Sequence, residues 1–427
     1  MLFYKKSIHN YILYILPVFL LVILFSTPVH AAIRYYNVKN YGANGKDKKS
    51  DSAAIQKALD QASEDQITVV TIPKGTYYIN KTLYIQSNTV LQMSKKAVIR
   101  RMDSALGKNM LRPTDSKHKS GNIGGYKLAH DITVTGGTWD GGNIKKAKSG
   151  TNLIYIGHST NVTINNITLK NCYAAHAIEL AGVKNGVVRN CKISGFRYGS
   201  DMFTSEAIQI DTCYKSKSEG KWAPGFKVDK TESKNILIEN NTITDYPRGV
   251  GVHHSLKGHQ ITNITIRNNK FKRSSASAQG KCVVGVFLLG VKNASVSNNT
   301  FERYSYGAMI KQSRKVTVKN NRFRYNSFGS LIIEGGDKNN GRHTFLVTSD
   351  EVGKKEFEFT CGNIKSGTVK TVGYVYHFHK SKKNNLTLKK QLKSNQKIVF
   401  YGKDKYNNKY YRTYYVPKKA KKKKSKS

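Results

Sequence analysis

The sequence predicts an all-β protein whose central part is a parallel β-helix, and three observations carry that prediction. Six segments alternate polar and apolar residues and end in Asn: NITLKN, NGVVRN, NILIEN, NITIRN, NASVSN and KVTVKN, starting at residues 166, 185, 235, 263, 293 and 315. A second aligned strand follows each of them, starting at residues 176, 206, 248, 284, 306 and 328. No helical period runs through this region. Short strands that recur with variable insertions indicate coils stacked into a solenoid.

A column of asparagines ends the first strand of each repeat and predicts the turn that follows. Asn suits such a turn because it tolerates the left-handed backbone conformation and forms local hydrogen bonds. The column comprises Asn171, Asn190, Asn240, Asn268, Asn298 and Asn320. In the second strand, the alternation of side chains predicts that two positions per coil point inward. These pairs are Ile178 and Leu180, Ile208 and Ile210, Val250 and Val252, Val286 and Leu288, Ala308 and Ile310, and Ser330 and Ile332.

The two ends of the chain differ from the repeats. Residues 1–31 have a charged start, an apolar middle and a small residue at the end, which predicts a signal peptide, with an uncleaved membrane anchor as the alternative. Residues 32–340 are assigned to the β-helix, and 345–417, where the repeat stops, to a small β-sandwich-like module. The Lys-rich residues 418–427 are expected to form a disordered tail. Asp51 is expected to N-cap a helix through Ala54, Ile55 and Leu59 that closes the open end of the solenoid.

Several segments resemble a known superfamily. YNVKNYGANGKDKKSDSAAIQKAL, IPKGTYYI and SNTVLQM, with DITVTGGTWDG from residue 131, are similar to the early part of the pectate-lyase, rhamnogalacturonase and polygalacturonase superfamily. The resemblance covers about residues 34–340. It implies a right-handed parallel β-helix with an N-terminal capping helix, and a polysaccharide lyase or glycoside hydrolase activity. Residues 345–417, with the turn KDKYNNK, resemble a degenerate bacterial immunoglobulin-like module, which implies a spacer or wall-binding unit.

The outward positions of the second strands form the candidate site. The first position is small in every coil and predicts a flat outward shelf on which an extended chain could lie: Ala177, Ala207, Gly249, Gly285, Gly307 and Gly329. Polar residues flank this shelf: His176, Glu206 and Arg248 at the strand starts, Glu179 and Gln209 in the middle, Asp211, His253 and Lys311 at the ends, and His254 in a turn. Insertions beside these strands predict loops that wall the groove. A surface ion-pair ladder of Glu206, Arg248 and Asp211 is the structural alternative.

Hydrolysis of a glycosidic bond is one reaction that the groove could support. It needs two carboxyl groups about 5 to 9.5 Å apart, and Glu206 with Asp211 is the candidate pair. The resemblance to polygalacturonases aligns Glu206 with the first of three aspartates of that family. Gln209 and Arg248 stand where the other two belong, and Met309 in GAMIK replaces an arginine. These departures weaken the hydrolase interpretation.

β-Elimination asks for a cation that neutralises a uronate carboxylate and a base that removes the neighbouring proton. Arg248 or Lys311 is the candidate cation, and His253 or Lys311 the candidate base. His176, Glu179, Gln209 and His254 are candidate substrate-binding residues. An epimerase would share the first step. Pectate lyases often bind calcium, so the resemblance also makes Asp201, Glu206 and Asp211 candidate calcium ligands; no other cofactor is expected.

The formal net charge of +46 predicts an anionic partner. With the predicted export signal, that partner is expected to be an acidic polysaccharide or an anionic cell-wall polymer and not nucleic acid. The protein is expected to be secreted, associated with the wall, and not inserted in the membrane after signal cleavage. The five cysteines show no zinc-like spacing. The leading hypothesis is cleavage of a uronate-containing polysaccharide by β-elimination. The alternatives are a glycoside hydrolase using Glu206 and Asp211, and a non-catalytic wall glycan binder.

Overall fold

The computed structural model describes residues 31–102, 106, 109–115, 122–142, 150–197, 205–214, 227–252, 254–274, 283–324, 329–334, 342–349, 355–361, 366–379, 383–393, 395–403 and 409–416. The predicted signal peptide, apart from Ala31, and the predicted Lys-rich tail lie outside these residues. Within the described part of the chain, no helix has the length and apolarity that a membrane crossing requires.

Each coil from β2 onward contributes one strand to each of three parallel sheets, which confirms the predicted parallel β-helix. Sheet 1 contains β1 (Ala32–Asn37), β2 (Gln66–Ile72), β5 (Thr89–Met93), β8 (Ala129–Thr135), β11 (Ser159–Asn165), β14 (Lys184–Arg189), β17 (Lys234–Glu239), β20 (Thr262–Arg267), β23 (Lys292–Ser297) and β26 (Arg314–Lys319). Sheet 2 contains β3 (Gly75–Ile79), β6 (Ala97–Arg101), β9 (Thr138–Asp140), β12 (Thr168–Lys170), β15 (Lys192–Ser194), β18 (Thr242–Thr244), β21 (Lys270–Lys272), β24 (Thr300–Glu302) and β27 (Arg322–Arg324). Sheet 3 contains β4 (Leu83–Ile85), β7 (Asn109–Pro113), β10 (Asn152–Gly157), β13 (Ile178–Ala181), β16 (Glu206–Asp211), β19 (Arg248–Val252), β22 (Val284–Leu289), β25 (Tyr306–Lys311) and β28 (Gly329–Glu334).

A short amphipathic helix, α1 (Ser52–Leu59), packs near the first coil after a 3₁₀ turn at Val38–Tyr41. Its apolar side buries Ile55 and Leu59, as the sequence predicts. Asp51 occupies the N-cap position, but its side chain makes no capping hydrogen bond. Its carboxylate instead accepts hydrogen bonds from the backbone N–H of Asn44 (2.7 Å) and Tyr78 (3.1 Å). Asp51 therefore ties the loop at Asn44 to strand β3 of the first coil, which corrects the predicted capping role.

Five members of the predicted asparagine column, from Asn190 to Asn320, form the turns between sheets 1 and 2. The prediction is wrong for the first repeat, where Asn166 occupies that turn and Asn171 follows the sheet 2 strand β12. All six members adopt left-handed backbone torsions, with φ between 54° and 58°. The residue that follows the turn asparagine forms a second, buried ladder from Asn241 to Asn321. In it, Asn269 accepts from the Asn241 backbone N–H at 2.9 Å and donates to the Ile238 carbonyl at 3.0 Å. These amides satisfy backbone groups that the corner leaves without strand partners.

The predicted inward pairs of sheet 3 are buried and belong to the main core, except in the last coil. There Ala308 pairs with Leu331 and Ile310 with Ile333, so the predicted pair Ser330 and Ile332 is one residue out of register. The error arises at the start of β28. Gly329 pairs with Tyr306, whereas the sequence alignment placed Gly329 in the same column as Gly307. A one-residue shift moves every side chain to the other face of a strand.

The column of small residues also points inward, so the prediction of an outward shelf is wrong. Ala177 and Ala207 are fully buried in the core, directly before the equally buried Ile178 and Ile208. Two consecutive residues thus face the interior at the start of these strands. A Cβ added to Gly249 would lie 2.3 Å from the ring of Phe271. The small side chains leave room for the aromatic residues of sheet 2, because protein interiors are close-packed.

The carboxyl-terminal strands are antiparallel and continue the solenoid. Sheet 3 is extended by β29 (Arg342–Ser349), β30 (Glu356–Cys361) and β33 (Lys383–Thr387). A second antiparallel set comprises β31 (Ser366–Thr371), β32 (Tyr374–His379), β34 (Lys397–Lys403) and β35 (Lys409–Tyr415). Strand β35 also pairs in parallel with β26 and β27. These strands therefore form a small antiparallel β-structure that joins the sheets of the last coils.

Candidate functional site

The outward face of sheet 3 carries a cluster of polar side chains around β16. Gln209 and Asp211 point outward, as the alternation predicts. Because Ala207 and Ile208 both point inward, Glu206 points outward as well. The exposed fractions of Glu206, Gln209 and Asp211 are only 0%, 2% and 4%. Burying an ionised carboxylate is costly unless it is paired and hydrogen-bonded, so the partners of these side chains decide what the cluster can do.

Glu206 lies between a histidine and an arginine from the two neighbouring strands. Arg248, directly opposite Glu206 in the strand register, donates from Nη1 to Oε1 at 3.0 Å. Nδ1 of His176, on the preceding coil, lies 3.4 Å from Oε2. The side chains of His176 and Arg248 each remain 15% exposed. The structure thus brings together three predicted site residues, with a buried carboxylate behind two partly exposed groups.

Gly251 gives the Glu206 side chain its position. A Cβ added to Gly251 would lie 2.4 Å from Cγ and 2.6 Å from Oε1 of Glu206. Contacts below 3.0 Å force one group to move. The absence of a side chain at residue 251 therefore leaves the space that the carboxylate occupies, and the outward middle position of β19 is glycine for that reason.

The other end of β16 holds a second carboxylate–histidine contact. Asp211 accepts hydrogen bonds from Nε2 of Gln209 (2.8 Å) and from the backbone N–H of Thr212 (2.7 Å). Nδ1 of His254 lies 3.5 Å from Oδ2 of Asp211. The His254 ring packs edge-on against Tyr214, with ring centroids 4.8 Å apart. The predicted residues Gln209, Asp211 and His254 are therefore also neighbours.

Preceding coils extend the cluster with Asn152, which the sequence analysis missed. Its amide donates to the carboxylate of Glu179 and to Oδ1 of Asn109 (3.2 Å). Its Oδ1 accepts from the backbone N–H of His176 at 2.9 Å. Asn152 thus connects Glu179 to the strand start that carries His176. The segment NLIYIG follows the pattern of HAIELA, and aligning it would have placed Asn152 opposite His176.

Tyr155 and Arg112 occupy the same outward column as Glu179 on the preceding coils and were also missed. Tyr155 lies directly opposite Glu179 in the register. Burial raises the pKa of Tyr155 well above its ordinary value, with Cys213 and Glu179 adding to the effect. Burial likewise lowers the pKa of Arg112. The tyrosine is therefore neutral at this position, where it packs with Ala181 and Cys213.

The coils that follow β19 present an apolar face. Val284, Phe287 and Met309 pack together on the outward side of β22 and β25. The Arg248 guanidinium lies 4.5 Å from the centroid of the Phe287 ring, a cation–π contact. Lys311, at the end of β25, is paired in register with Leu289. It is three strands away from β16, or about 14 Å at the usual strand spacing, so it lies apart from the Glu206 cluster.

The proposed hydrolase pair is spread along one strand. Glu206 and Asp211 are five residues apart in β16, which places their Cα atoms about 16 Å apart in an extended strand. Each carboxylate is held by a different set of partners. This arrangement argues against a joint role in glycosidic hydrolysis, which needs a separation of at most about 9.5 Å.

Two predicted residues, His253 and Asp201, lie outside the described residues. Glu206 and Asp211 do not fit a shared calcium site, because their oxygens already contact Arg248, His176 and Gln209 and lie at opposite ends of β16. Among the described residues, no group of three His, Cys, Asp or Glu side chains is placed to hold a metal ion. The calcium prediction, which includes Asp201, stays a prediction.

Comparison with known proteins places this geometry in a family. A family model described as "Rhamnogalacturonase A/epimerase, pectate lyase-like" matches residues 35–253, and a right-handed β-helix model matches residues 284–353. Plasmin and fibronectin-binding protein A of Streptococcus pneumoniae (strain ATCC BAA-255 / R6) is 28% identical over 296 residues, 64% of this chain and 40% of that protein. Iota-carrageenase of Alteromonas macleodii is 23% identical over 220 residues, 51% of this chain and 37% of that protein.

A solved structure agrees with the sequence matches. The structure of the Streptococcus pneumoniae surface protein and adhesin PfbA superposes with a TM-score of 0.56 at 26% identity, covering 68% of this chain and 77% of that chain. The chain spans less than half the length of the curated relatives described above. The first family model matches more than half of the chain. The chain therefore belongs to the rhamnogalacturonase A/epimerase, pectate lyase-like family of β-helix proteins.

Proposed function

We propose that this protein cleaves an acidic, uronate-containing polysaccharide by β-elimination, with the glycan lying across the outward face of sheet 3. The observation that carries the proposal is the contact of the buried Glu206 carboxylate with both His176 and Arg248. Elimination needs a base and a cation at the same sugar unit. Here a base candidate and a cation are held on either side of one carboxylate.

His176 is the proposed base, in place of His253. Nδ1 of His176 lies beside the Glu206 carboxylate and 3.2 Å from both the backbone nitrogen and the backbone oxygen of Glu206, and these contacts orient the ring. In the tautomer with its proton on Nδ1, Nε2 is the proton acceptor. Arg248 is the proposed carboxylate ligand. It donates to Glu206 through Nη1, and a guanidinium has further N–H donors in a fork that matches a carboxylate. Glu206 is a positioning residue, since it is fully buried and acts through these two side chains.

The reaction follows from these roles. His176 takes the proton from the carbon beside the uronate carboxyl group, and Arg248 stabilises the charge that develops on that group. The released electron pair forms a carbon–carbon double bond as the glycosidic carbon–oxygen bond breaks. The leaving oxygen takes up a proton from water, and the protonated His176 then releases its proton to solvent. The net charge of +46 favours an anionic polymer in this groove.

Export belongs to the same proposal. The apolar segment in residues 1–31 supports it, and so does the similarity to a streptococcal surface protein. We place the working protein outside the cell or at its surface, where an acidic polysaccharide or a wall polymer is available.

The test uses the full chain with polygalacturonate, alginate and hyaluronan. Ultraviolet absorbance of the new conjugated double bond and the formation of reducing ends are followed in the same samples. Elimination predicts that both signals rise together. Reducing ends without absorbance would replace elimination by hydrolysis.

Variants then assign the roles. His176→Ala should lower the rate by about 10²- to 10⁴-fold, the usual contribution of a general base. Glu206→Gln should lower it and change the pH profile, because the ring of His176 loses its charged partner. The control is His259→Ala, which breaks a similar contact with Glu232 (3.0 Å) outside the strands of sheet 3 and should leave the rate unchanged. Equal loss in the control would refute the assignment.

A second candidate function is non-catalytic adhesion. The complete ion pair of Glu206 with Arg248 is also what a purely structural contact would look like, and the relative with the TM-score of 0.56 is described as an adhesin. This candidate predicts binding to glycans, or to immobilised fibronectin or plasmin, with no product from any polymer. It also predicts that His176→Ala leaves binding unchanged.

A further inference from the structure

The corner between sheets 1 and 2 carries cations on every second coil. Arg189 and Lys192 flank one corner, Arg267 and Lys270 the corner two coils on, and Lys319 and Arg322 the corner two coils further; we call these six residues the cationic ledge. The strand registers place Arg189, Glu239, Arg267, Ser297 and Lys319 in one row. They place Lys192, Thr242, Lys270, Thr300 and Arg322 in a second row. The intervening coils therefore add hydroxyl groups and a single carboxylate.

Five of the six ledge residues are exposed, and Arg322 is half-buried. Arg189, Lys192, Lys270 and Lys319 are exposed, and among the described residues no carboxylate lies within ion-pair distance of these four. Arg267 is paired with Glu239, with Nη2 and Oε2 2.7 Å apart. Six cations and one acid leave a net charge of +5 on this narrow strip.

The spacing of the charges restricts the partner. Neighbouring coils are about 4.8 Å apart, so the cation pairs recur about every 10 Å and the ledge is about 19 Å long. A nucleic-acid strand carries a phosphate about every 3.4 Å, which is far denser. Nucleic-acid sites on single strands also use aromatic side chains for stacking, and the two rows contain none. The amides and hydroxyls between the cations instead match sugar hydroxyl groups.

We propose that the cationic ledge binds a linear anionic polysaccharide with one carboxylate or sulfate per disaccharide, running parallel to the solenoid axis. An extended disaccharide is long enough to place successive anions on alternate coils. The ledge joins the two sheets that do not form the candidate active site, so it would hold the polymer independently of the groove. This goes beyond the proposed function and does not depend on it.

The test measures binding of labelled oligomers to the full chain by fluorescence anisotropy over a range of salt concentrations. Hyaluronan carries one carboxylate per disaccharide and kappa-carrageenan one sulfate, so the two probes distinguish the sources of the anion. Lys192→Gln with Lys270→Gln should weaken binding about tenfold and flatten the salt dependence. The matched control, Lys39→Gln with Lys57→Gln, removes two exposed charges near the amino-terminal helix and should change binding less than about twofold.

Three outcomes would overturn the proposal. Equal weakening by both double variants would mean that only net charge matters. If the ledge variant lost as much affinity for single-stranded DNA as for the polysaccharide, the ledge would be a general polyanion surface. Unchanged binding in the ledge variant would place the polymer elsewhere. Independence from the active site is checked in a His176→Ala background, where Lys192→Gln with Lys270→Gln should weaken binding by the same factor as in the wild type.

Discussion

Two glycines of β19, Gly249 and Gly251, face opposite sides of sheet 3 and give a test of the site geometry. A Cβ at Gly251 would meet Glu206, whereas a Cβ at Gly249 would meet the Phe271 ring and, at 2.4 Å, the backbone oxygen of Gly285. Alanine at either position is therefore expected to be destabilising, for different reasons. Only one of the two substitutions disturbs the candidate site.

The cost of Gly251→Ala follows from the displaced carboxylate. Glu206 must leave the position in which it lies 3.0 Å from Arg248, and breaking a buried ion pair costs about 3–5 kcal/mol. Replacing glycine by alanine restricts the unfolded chain and returns about 0.4–1 kcal/mol. The expected net loss in the free energy of unfolding is about 2–4 kcal/mol. Lyase activity should fall with it, because His176 and Arg248 lose the group that positions them.

A double-mutant cycle separates this effect from general crowding. In a Glu206→Ala background the space above Gly251 is empty, so Gly251→Ala should be neutral or slightly stabilising. The coupling energy between the two substitutions is then about 2–4 kcal/mol. Gly249→Ala should cost about 1–3 kcal/mol in both backgrounds, as overpacking does. Urea denaturation gives each value from the midpoint and the slope. Equal destabilisation by Gly251→Ala with and without the glutamate would refute the reasoning.

Further predictions concern the core, the asparagine ladder and the response to acid. Phe301→Ala removes one of two stacked core rings, with centroids 4.9 Å apart, and should cost about 3–5 kcal/mol by calorimetry. Asn269→Ala should cost at least about 1–3 kcal/mol because buried backbone groups lose partners, whereas Asn268→Gly, at a left-handed turn position, should change the melting temperature little. Burial raises the pKa of Asp229, but hydrogen bonds led by that from Thr231 more than offset it, so the folded pKa lies below its ordinary value. The stability from this carboxylate is therefore present above about pH 4 and is lost as pH falls through the folded pKa. Asp229→Asn should thus destabilise at neutral pH and differ progressively less from the wild type in acid.

The repeat period carried most of the fold information. The asparagine column, the alternation of apolar residues and the insertions each depend on a few neighbouring residues, so they can be recognised without coordinates. For that reason the solenoid, its turns and the helix near the first coil are confirmed. The sequence also identified the strands whose outward residues meet around Glu206, because residues at equal positions of successive coils are neighbours in space.

Whether the column of small residues faces the interior or the solvent could not be predicted from the local sequence pattern. Strict alternation assigns Ala177 to the outside, yet both Ala177 and Ile178 are fully buried. Each strand of sheet 3 begins at a corner, where the backbone bends and two consecutive side chains face the interior. Whether a small residue is needed there depends on a ring such as Phe271, which belongs to another sheet and coil. The predicted register of the last coil was also wrong at a strand start, where the alignment was one residue out.

The sequence by itself determined that this chain coils into a β-helix and which residue columns face one another, because a period of two residues along a strand and one coil per repeat are local properties. Only the tertiary structure decided that Glu206 is buried between His176 and Arg248, and that Glu206 and Asp211 have different partners. It also decided that Gly251 leaves the space that the Glu206 carboxylate occupies. These facts depend on side chains from three coils meeting in one volume, and no local pattern specifies how such side chains fill it.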